Sequence, residues 1–200
     1  MKSKSKKLRI FLCDLTYDTI LLVSDTIPIN IGFIASYINK YLSKDIEISL
    51  FKYPQNTIEA IKKNPPDMIA LSNYSWNSNL SEFVSSIAKK YNPNVITSQG
   101  GTNFPHSVEL QKDFVKTKKN TDIFNILEGE KSTLKLVQRI LECNLDRKKI
   151  FEKPIGGCIF IHPDTKNLPD DKQIFVVGET LTRIKDLDEI PSPYLNGTLD

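Results

Sequence analysis

Polar residues directly follow four apolar runs of the sequence, and a binding or catalytic site is most easily placed there. The four segments are Asp14–Thr19, Ser72–Asn77, Gly100–Pro105 and Glu128–Glu130. They are rich in hydroxyl, amide and carboxylate groups and contain no Lys or Arg. Such groups can form hydrogen bonds to a polar ligand, and paired glycines let a large flat ligand approach the backbone. The same residue types also make ordinary tight turns, so both interpretations stay open.

Motifs for nucleophilic, phosphate or metal chemistry are absent from the sequence. There is no G-x-x-x-x-G-K-[ST] loop and no G-x-G-x-x-G motif. Cys13, Cys143 and Cys158 lie far apart and form no C-x-x-C pair. His106 follows the glycine pair and is better explained as an exposed loop residue than as a base. We therefore predict no catalytic residue and no metal ligand.

The apolar runs before these segments predict strands. Met68–Leu71 is continuously apolar and too short for a helix, as is typical of a strand buried on both faces of a parallel sheet. Leu8–Cys13, Val95–Thr97 and Ile123–Leu127 have a similar character, and Ile46–Leu50 alternates like a half-buried strand near an edge. The carboxyl ends of parallel strands share one edge, so the polar segments should converge there.

Helical patterns alternate with these strands. Pro28 suits the first turn of a helix, and apolar residues recur every four positions from Ile29 to Tyr41. Leu80–Tyr91 has the clearest amphipathic spacing, and further helices are predicted within 106–120 and 131–142. This alternation predicts an α/β fold with a doubly wound, five-stranded parallel sheet of the Rossmann-like (flavodoxin-like) type.

Composition suggests a basic tail (1–7), the sheet domain (8–145), a β-hairpin extension (146–185) and an extended linker (186–200). Five of the positive charges lie in the first nine residues, whereas the net charge is +3, so the folded body is near neutral. This balance argues against a nucleic-acid surface. No apolar run reaches the roughly 18 residues of a membrane span. We expect a cytoplasmic protein without nucleic-acid or membrane partners.

The chain resembles the N-terminal cobalamin (B12)-binding domain of the B12-dependent radical S-adenosylmethionine (SAM) enzymes. The similar segments are Pro28–Ala35, Asp67–Asn77, Gly100-Gly101, Glu128–Glu130 and Asp186–Asp200. The last, DLDEIPSPYLNGTLD, is the most specific, because in that family such a segment links the cobalamin domain to the radical barrel. The resemblance extends over nearly the whole chain.

This resemblance implies that cobalamin binds at the carboxyl edge of the sheet. The implied cofactor-binding residues are Thr16, Tyr17, Pro28, Asn30, Gly32, Ser72, Asn73, Tyr74, Ser75, Trp76, Asn77, Gly100, Gly101, Thr102, Asn103, Glu128, Gly129 and Glu130. Classical cobalamin domains carry a D-x-H-x-x-G loop whose histidine binds cobalt from below. Asp14–Thr19 has neither the histidine nor the glycine. The implied cofactor is therefore base-off cobalamin without a histidine ligand from this loop.

The radical barrel of that family needs a C-x-x-x-C-x-x-C motif for its [4Fe-4S] cluster, and this sequence contains none. The chain stops just before the point at which the motif is expected. The resemblance thus implies a cobalamin-binding module without catalysis of its own, with SAM, the cluster and the barrel present in cis only in a full-length parent. Methyl transfer is the typical reaction of such a parent.

Two other functions stay open. The chain could be a flavodoxin-like signalling or interaction domain without a cofactor, in which Asp14 and Asp18 bind Mg²⁺. It could also be a stand-alone corrinoid carrier or sensor that serves a separate protein. A downstream cysteine triad would distinguish the radical enzyme from both.

Overall fold

Five parallel strands and an antiparallel hairpin form one sheet in the computed structural model, which describes residues 6–17 and 26–199. The strands are β1 (Leu8–Cys13), β2 (Ile46–Phe51), β3 (Met68–Ser72), β4 (Ile96–Gly100), β5 (Ile123–Asn125), β6 (Cys158–Ile161) and β7 (Phe175–Val177). Their order is β2-β1-β3-β4-β5-β6-β7. The α/β doubly wound fold predicted from the sequence is confirmed, with β2 at an edge as expected.

The hairpin prediction needs a correction. We predicted a five-stranded sheet with the hairpin as an appendage, but β6 pairs antiparallel with β5 and extends the same sheet to seven strands. The pairing joins Phe124 to Ile159 and Asn125 to Cys158. It covers the edge of β5, whose backbone groups would otherwise be left unpaired.

Helices cover both faces of the sheet. They are α1 (Ile29–Leu42), α2 (Pro54–Lys63), α3 (Ser78–Tyr91), α4 (Val108–Thr117), α5 (Gly129–Glu142) and α6 (Arg147–Phe151). α1 and α5 pack together on one face, and α2 and α3 pack together on the other. The short α6 was not predicted. The Asp146 carboxylate caps it by accepting hydrogen bonds from the backbone N–H groups of Lys148 and Lys149.

Some predictions fall on residues outside the described part of the chain. They concern most of the basic tail, the apolar piece Ile20–Val23, and Asp18 and Thr19 of the first polar segment. Within residues 6–17 and 26–199, no helix has the length and apolar character required to cross a membrane.

The closing segment packs against α1, although we predicted only an extended linker. The Thr198 hydroxyl lies 3.1 Å from that of Ser36, and Lys40 Nζ donates a hydrogen bond to a backbone carbonyl of this segment at 2.8 Å. A Cβ on Gly32 would lie only 3.0 Å from the Leu199 side chain. Glycine at position 32 therefore makes room for this segment.

A buried carboxylate joins the hairpin region to the sheet. Asp122, at the amino end of β5, accepts hydrogen bonds from Lys89 Nζ at 2.6 Å and from Arg147 Nη2 at 3.1 Å. Its other oxygen accepts the backbone N–H and the hydroxyl of Thr97. Burial by itself would raise the pKa of Asp122, but the two cations outweigh it and lower the pKa below its ordinary value.

Replacement of Asp122 by Asn should lower the free energy of unfolding by about 2–3 kcal/mol, because Lys89 and Arg147 would lose their shared partner. Urea unfolding at pH 7 measures this loss. Asp113→Asn is the control, since Asp113 is exposed and pairs with Lys116, which also pairs with Asp170. This change should alter stability by less than about 0.5 kcal/mol.

The same comparison has a pH dependence with a defined sign. A carboxylate whose pKa is lowered on folding stabilises the protein above its ordinary pKa of 3.8, and that contribution is lost as the pH falls further. The difference between Asp122→Asn and the unaltered chain should therefore shrink below about pH 4. A difference that is absent at pH 7, or that grows on acidification, would contradict this account.

Candidate cofactor-binding site

A cleft lies at the carboxyl edge of the sheet, between α1 and α5. It encloses about 160 Å³. Its lining residues are Leu12, Asn30, Ile31, Ile34, Ala70, Leu71, Ser72, Tyr74, Ser98, Gly100, Gly101, Asn125, Leu127, Gly129, Glu130 and Thr133. The cleft thus draws on the ends of β1, β3, β4 and β5, as expected for ligand sites of parallel sheets.

The cleft exists because several positions around it have a small side chain or none. A Cβ on Gly129, the first residue of α5, would lie 2.7 Å from Ile34 Cδ1 on α1. A Cβ on Gly100, at the end of β4, would lie 3.2 Å from the Cβ of Asn125. Ala70 contributes only a methyl group from the centre of the sheet. Larger side chains at these positions would close the cleft or push its walls apart.

A hydrogen-bond network fixes the loops after β1 and β3. Ser72 Oγ donates to Asp14 Oδ1 at 2.5 Å, and Asn77 Nδ2 donates to Ser72 Oγ at 2.9 Å and to the Leu15 carbonyl at 3.1 Å. Asn77 Oδ1 accepts the backbone N–H of Tyr74 at 2.8 Å. Asn77 is fully buried, so its amide is a structural element of the loop.

The loop after β4 is held against the loop after β3. The Asn73 N–H donates to the Gly100 carbonyl at 2.7 Å, and the Asn103 N–H donates to the Asn73 carbonyl at 3.1 Å. Gly101 has φ 141°, and a Cβ there would lie 2.7 Å from the Asn73 carbonyl oxygen. Glycine at 101 is therefore required by the close approach of the two loops as well as by the shape of the cleft.

Two stacked aromatic rings form part of the rim. The rings of Tyr74 and Trp76 are parallel to within 5°, with their centroids 4.5 Å apart. The Tyr74 hydroxyl accepts a hydrogen bond from Asn30 Nδ2 at 3.2 Å, which ties the stack to α1. Trp76 is 63% exposed. A large planar surface is thus presented beside the mouth of the cleft.

The start of α5 places two carboxylates near the cleft. Glu128 Oε2 accepts the backbone N–H of Ile184 at 2.8 Å and so holds the segment that follows β7. Glu130 lines the cleft. Burial raises the pKa of the Glu130 carboxyl, its own backbone N–H opposes this effect, and the charge of Glu128 adds to it.

The predicted cofactor-binding residues divide into two groups. Those that line the cleft are Asn30, Ser72, Tyr74, Gly100, Gly101, Gly129 and Glu130. Those that lie outside its lining are Thr16, Tyr17, Pro28, Gly32, Asn73, Ser75, Trp76, Asn77, Thr102, Asn103 and Glu128. Asn73 and Asn77 are buried in contacts between loops, and Gly32 faces Leu199. Cofactor binding by either group stays a prediction.

Sequence reasoning missed three polar residues of the cleft lining: Ser98, Thr133 and Asn125. Asn125 is buried. Its Nδ2 donates to Ser132 Oγ at 3.2 Å and to Thr133 Oγ1 at 2.8 Å. Its Oδ1 is buried and has no hydrogen-bond partner among the described residues. An asparagine within the otherwise apolar run of the fifth strand was a signal that could have identified it.

The described ranges contain no group of three His, Cys, Asp or Glu side chains arranged to hold a metal ion. Asp14 is engaged by Ser72. His106 is exposed in the loop before α4, and His162 follows the antiparallel β6, so it lies at the opposite edge of the sheet from the cleft.

Comparisons with known proteins agree with the resemblance seen in the sequence. No family model matches the chain. The cobalamin-dependent radical SAM methyltransferase TokK of Streptomyces tokunonensis is 29% identical over 139 residues, which are 68% of this chain. The cobalamin-dependent radical SAM enzyme OxsB with aqua-cobalamin and SAM bound matches 97% of this chain with a TM-score of 0.68 and 16% identity.

The chain resembles cobalamin-dependent radical SAM enzymes. The fold similarity is also found with OxsB holding aqua-cobalamin alone, at a TM-score of 0.65. The matched region is only 17% of TokK and 25% of OxsB. The chain therefore corresponds to a small part of these relatives.

The Ser72 hydroxyl is expected to stabilise the candidate site. Ser72→Ala should lower the free energy of unfolding by about 1–2 kcal/mol, because the Asp14 carboxylate and the Asn77 amide each lose a partner. Urea unfolding of Ser72→Ala and of the exposed control Ser75→Ala measures the difference. Equal midpoints for the two variants would mean that the network does not hold the loops together.

Proposed function

We propose that this chain is the cobalamin-binding module of a cytoplasmic B12-dependent radical SAM enzyme, whose full-length parent performs methyl transfer. The observation that carries the proposal is the cleft between α1 and α5 at the carboxyl edge of the sheet. The missing side chains of Gly100 and Gly129 leave room for it. The similarity to TokK and OxsB supports it.

The chemistry of the cleft fits part of this cofactor. Pockets that enclose a drug-sized ligand typically measure about 300–1,000 Å³, so a cleft of about 160 Å³ suits a single planar heterocycle and not a whole corrin ring. We assign it to the lower base of the nucleotide tail. The apolar walls from α1 suit a flat aromatic base, and Asn125 adds a buried amide to the lining.

The exposed rim is then the surface for the corrin ring. Its residues in this proposal are Thr16, Tyr17, Ser75, Trp76 and Thr102, all from loops at the carboxyl edge. The network of Asp14, Ser72 and Asn77 keeps two of these loops in place. The role of this chain is to bind and orient the cofactor and to shield its tail from water.

The base-off state follows from the same assignment, because a base held in the cleft is withheld from cobalt. The described part of the loop after β1 offers Thr16 where classical cobalamin domains have histidine. In such a parent enzyme cobalamin supplies a carrier for the methyl group. SAM and the [4Fe-4S] cluster belong to a radical SAM barrel in cis, and we assign no catalytic residue to this chain.

The alternative of a Mg²⁺-binding signalling domain has less support. The Asp14 carboxylate already accepts a hydrogen bond from Ser72, and Asp18 lies outside the described residues. A stand-alone corrinoid carrier would use the same cleft. Extension of the coding sequence into a cysteine triad distinguishes that carrier from a radical enzyme.

The chain should retain hydroxocobalamin at about one per chain after desalting, as measured by visible absorbance. Ala70→Phe should fill the cleft and weaken binding at least about tenfold, equivalent to about 1.4 kcal/mol. Ala60→Phe makes the same addition at a partly buried position on the other face of the sheet, and should bind normally. A chain that remains colourless, or equal loss in both variants, would argue against the proposed site.

The visible spectrum of the loaded chain should be that of cobalamin without a histidine ligand. His106→Ala and His162→Ala should each leave the band positions unchanged, because one side chain is exposed outside the cleft and the other lies at the opposite edge of the sheet. Free imidazole added to the loaded chain serves as the control for the shift that a nitrogen ligand causes. A shift in either variant would identify a histidine ligand and refute the prediction that no histidine of this chain binds cobalt.

A further inference from the structure

Asn125 lines the cleft, and its side chain has an unused hydrogen-bond acceptor. It is the last residue of β5 and is 7% exposed. It forms part of the cleft wall beside Gly100, whose missing side chain leaves the Cβ of Asn125 uncovered on that side. Asn125 Oδ1 is buried and has no donor partner among the described residues.

The hydrogen bonds of α5 determine which way this amide faces. Ser132 Oγ donates its proton to the Glu128 carbonyl at 2.9 Å, so towards Asn125 it can only accept. The atom that faces Ser132 must therefore be the donor Nδ2, which also lies 2.8 Å from Thr133 Oγ1. The oxygen is consequently directed away from both hydroxyl groups.

A buried acceptor without a donor destabilises the protein, and most such groups in folded proteins do have a partner. A ligand that enters the cleft with an N–H or O–H group can supply the missing donor. A ligand without such a group would leave Asn125 Oδ1 buried and unpaired, as it is in the unliganded cleft. The cleft should therefore distinguish bases by whether they carry a donor.

We propose that the cleft selects corrinoids whose lower base carries a hydrogen-bond donor, which Asn125 Oδ1 accepts. This inference rests on the proposed function and deepens it. Adenine offers an exocyclic amino group, and 5-hydroxybenzimidazole offers a hydroxyl group. The dimethylbenzimidazole of cobalamin, attached to its ribose, has no N–H or O–H group. Cobalamin itself would then be a weaker ligand than these corrinoids.

Calorimetric titration of the unaltered chain tests the selection directly. The ligands are the corrinoid with an adenine base, the one with 5-hydroxybenzimidazole, cobalamin, and cobinamide, which has no base. Both donor-bearing corrinoids should bind about tenfold more tightly than cobalamin, since an unpaired buried acceptor is costly to leave. Cobinamide should bind more weakly than all three.

A pair of variants assigns the effect to Asn125. Asn125→Leu removes the acceptor and should abolish the preference for donor-bearing bases. Gln99→Met is the matched control, because Gln99 Oε1 is also buried without a partner but belongs to a residue outside the cleft lining; the preference should persist there. If Asn125→Leu does not fold, the affinities of the unaltered chain for the four ligands still test whether the cleft selects donor-bearing bases.

The outcomes separate this inference from the proposed function. Equal affinity for cobalamin and the donor-bearing corrinoids overturns the selection and leaves the module intact. Cobinamide binding as tightly as the others shows that the base is not held in the cleft, and overturns the inference in the same way. Absence of binding by every corrinoid overturns both proposals. If Asn125→Leu still prefers donor-bearing bases, Asn125 is not the acceptor and the inference is wrong.

Discussion

The hydrogen bond from Ser72 to Asp14 is the interaction on which the candidate site depends. It joins the ends of β1 and β3, which are neighbouring strands in the parallel part of the sheet. Asn77 contacts Ser72 and enlarges this network: its amide donates to the Leu15 carbonyl and accepts the backbone N–H of Tyr74. These loops carry Thr16 and the aromatic stack, so the position of the rim follows from a few buried polar contacts. The outer parts of these loops can be polar and exposed because buried hydrogen bonds fix the residues next to the strands.

The second constraint is the lack of side chains where helices and strands meet. Gly129 lets α5 approach Ile34 of α1, and Gly100 lets β4 lie beside Asn125 without filling the space between them. The apolar packing of α1 and α5 against the sheet continues directly into the walls of the cleft. The stability of this face and the shape of the site therefore have a common origin, which explains why large substitutions should affect both.

Much of the fold could be predicted because strands and helices leave strong local patterns. Met68–Leu71 and Leu80–Tyr91 were recognised from apolar continuity and helical spacing, and the four polar segments do follow parallel strands. The place of the hairpin was not predictable in the same way. Pairing of Phe124 with Ile159 joins residues far apart in the chain, and a local pattern carries no information on which edge a hairpin will cover.

The sequence by itself determined the α/β alternation, the polar segments at one edge of the sheet, and the resemblance to cobalamin-binding domains, because each depends on residue order over short stretches. Tertiary structure alone decided how individual residues are used. Gly32 faces Leu199, Asn73 holds a neighbouring loop, and Asn125 lines the cleft and has an unpaired side-chain oxygen. Those roles arise from contacts between segments distant in the chain, and the type of a residue does not specify which distant group it will meet.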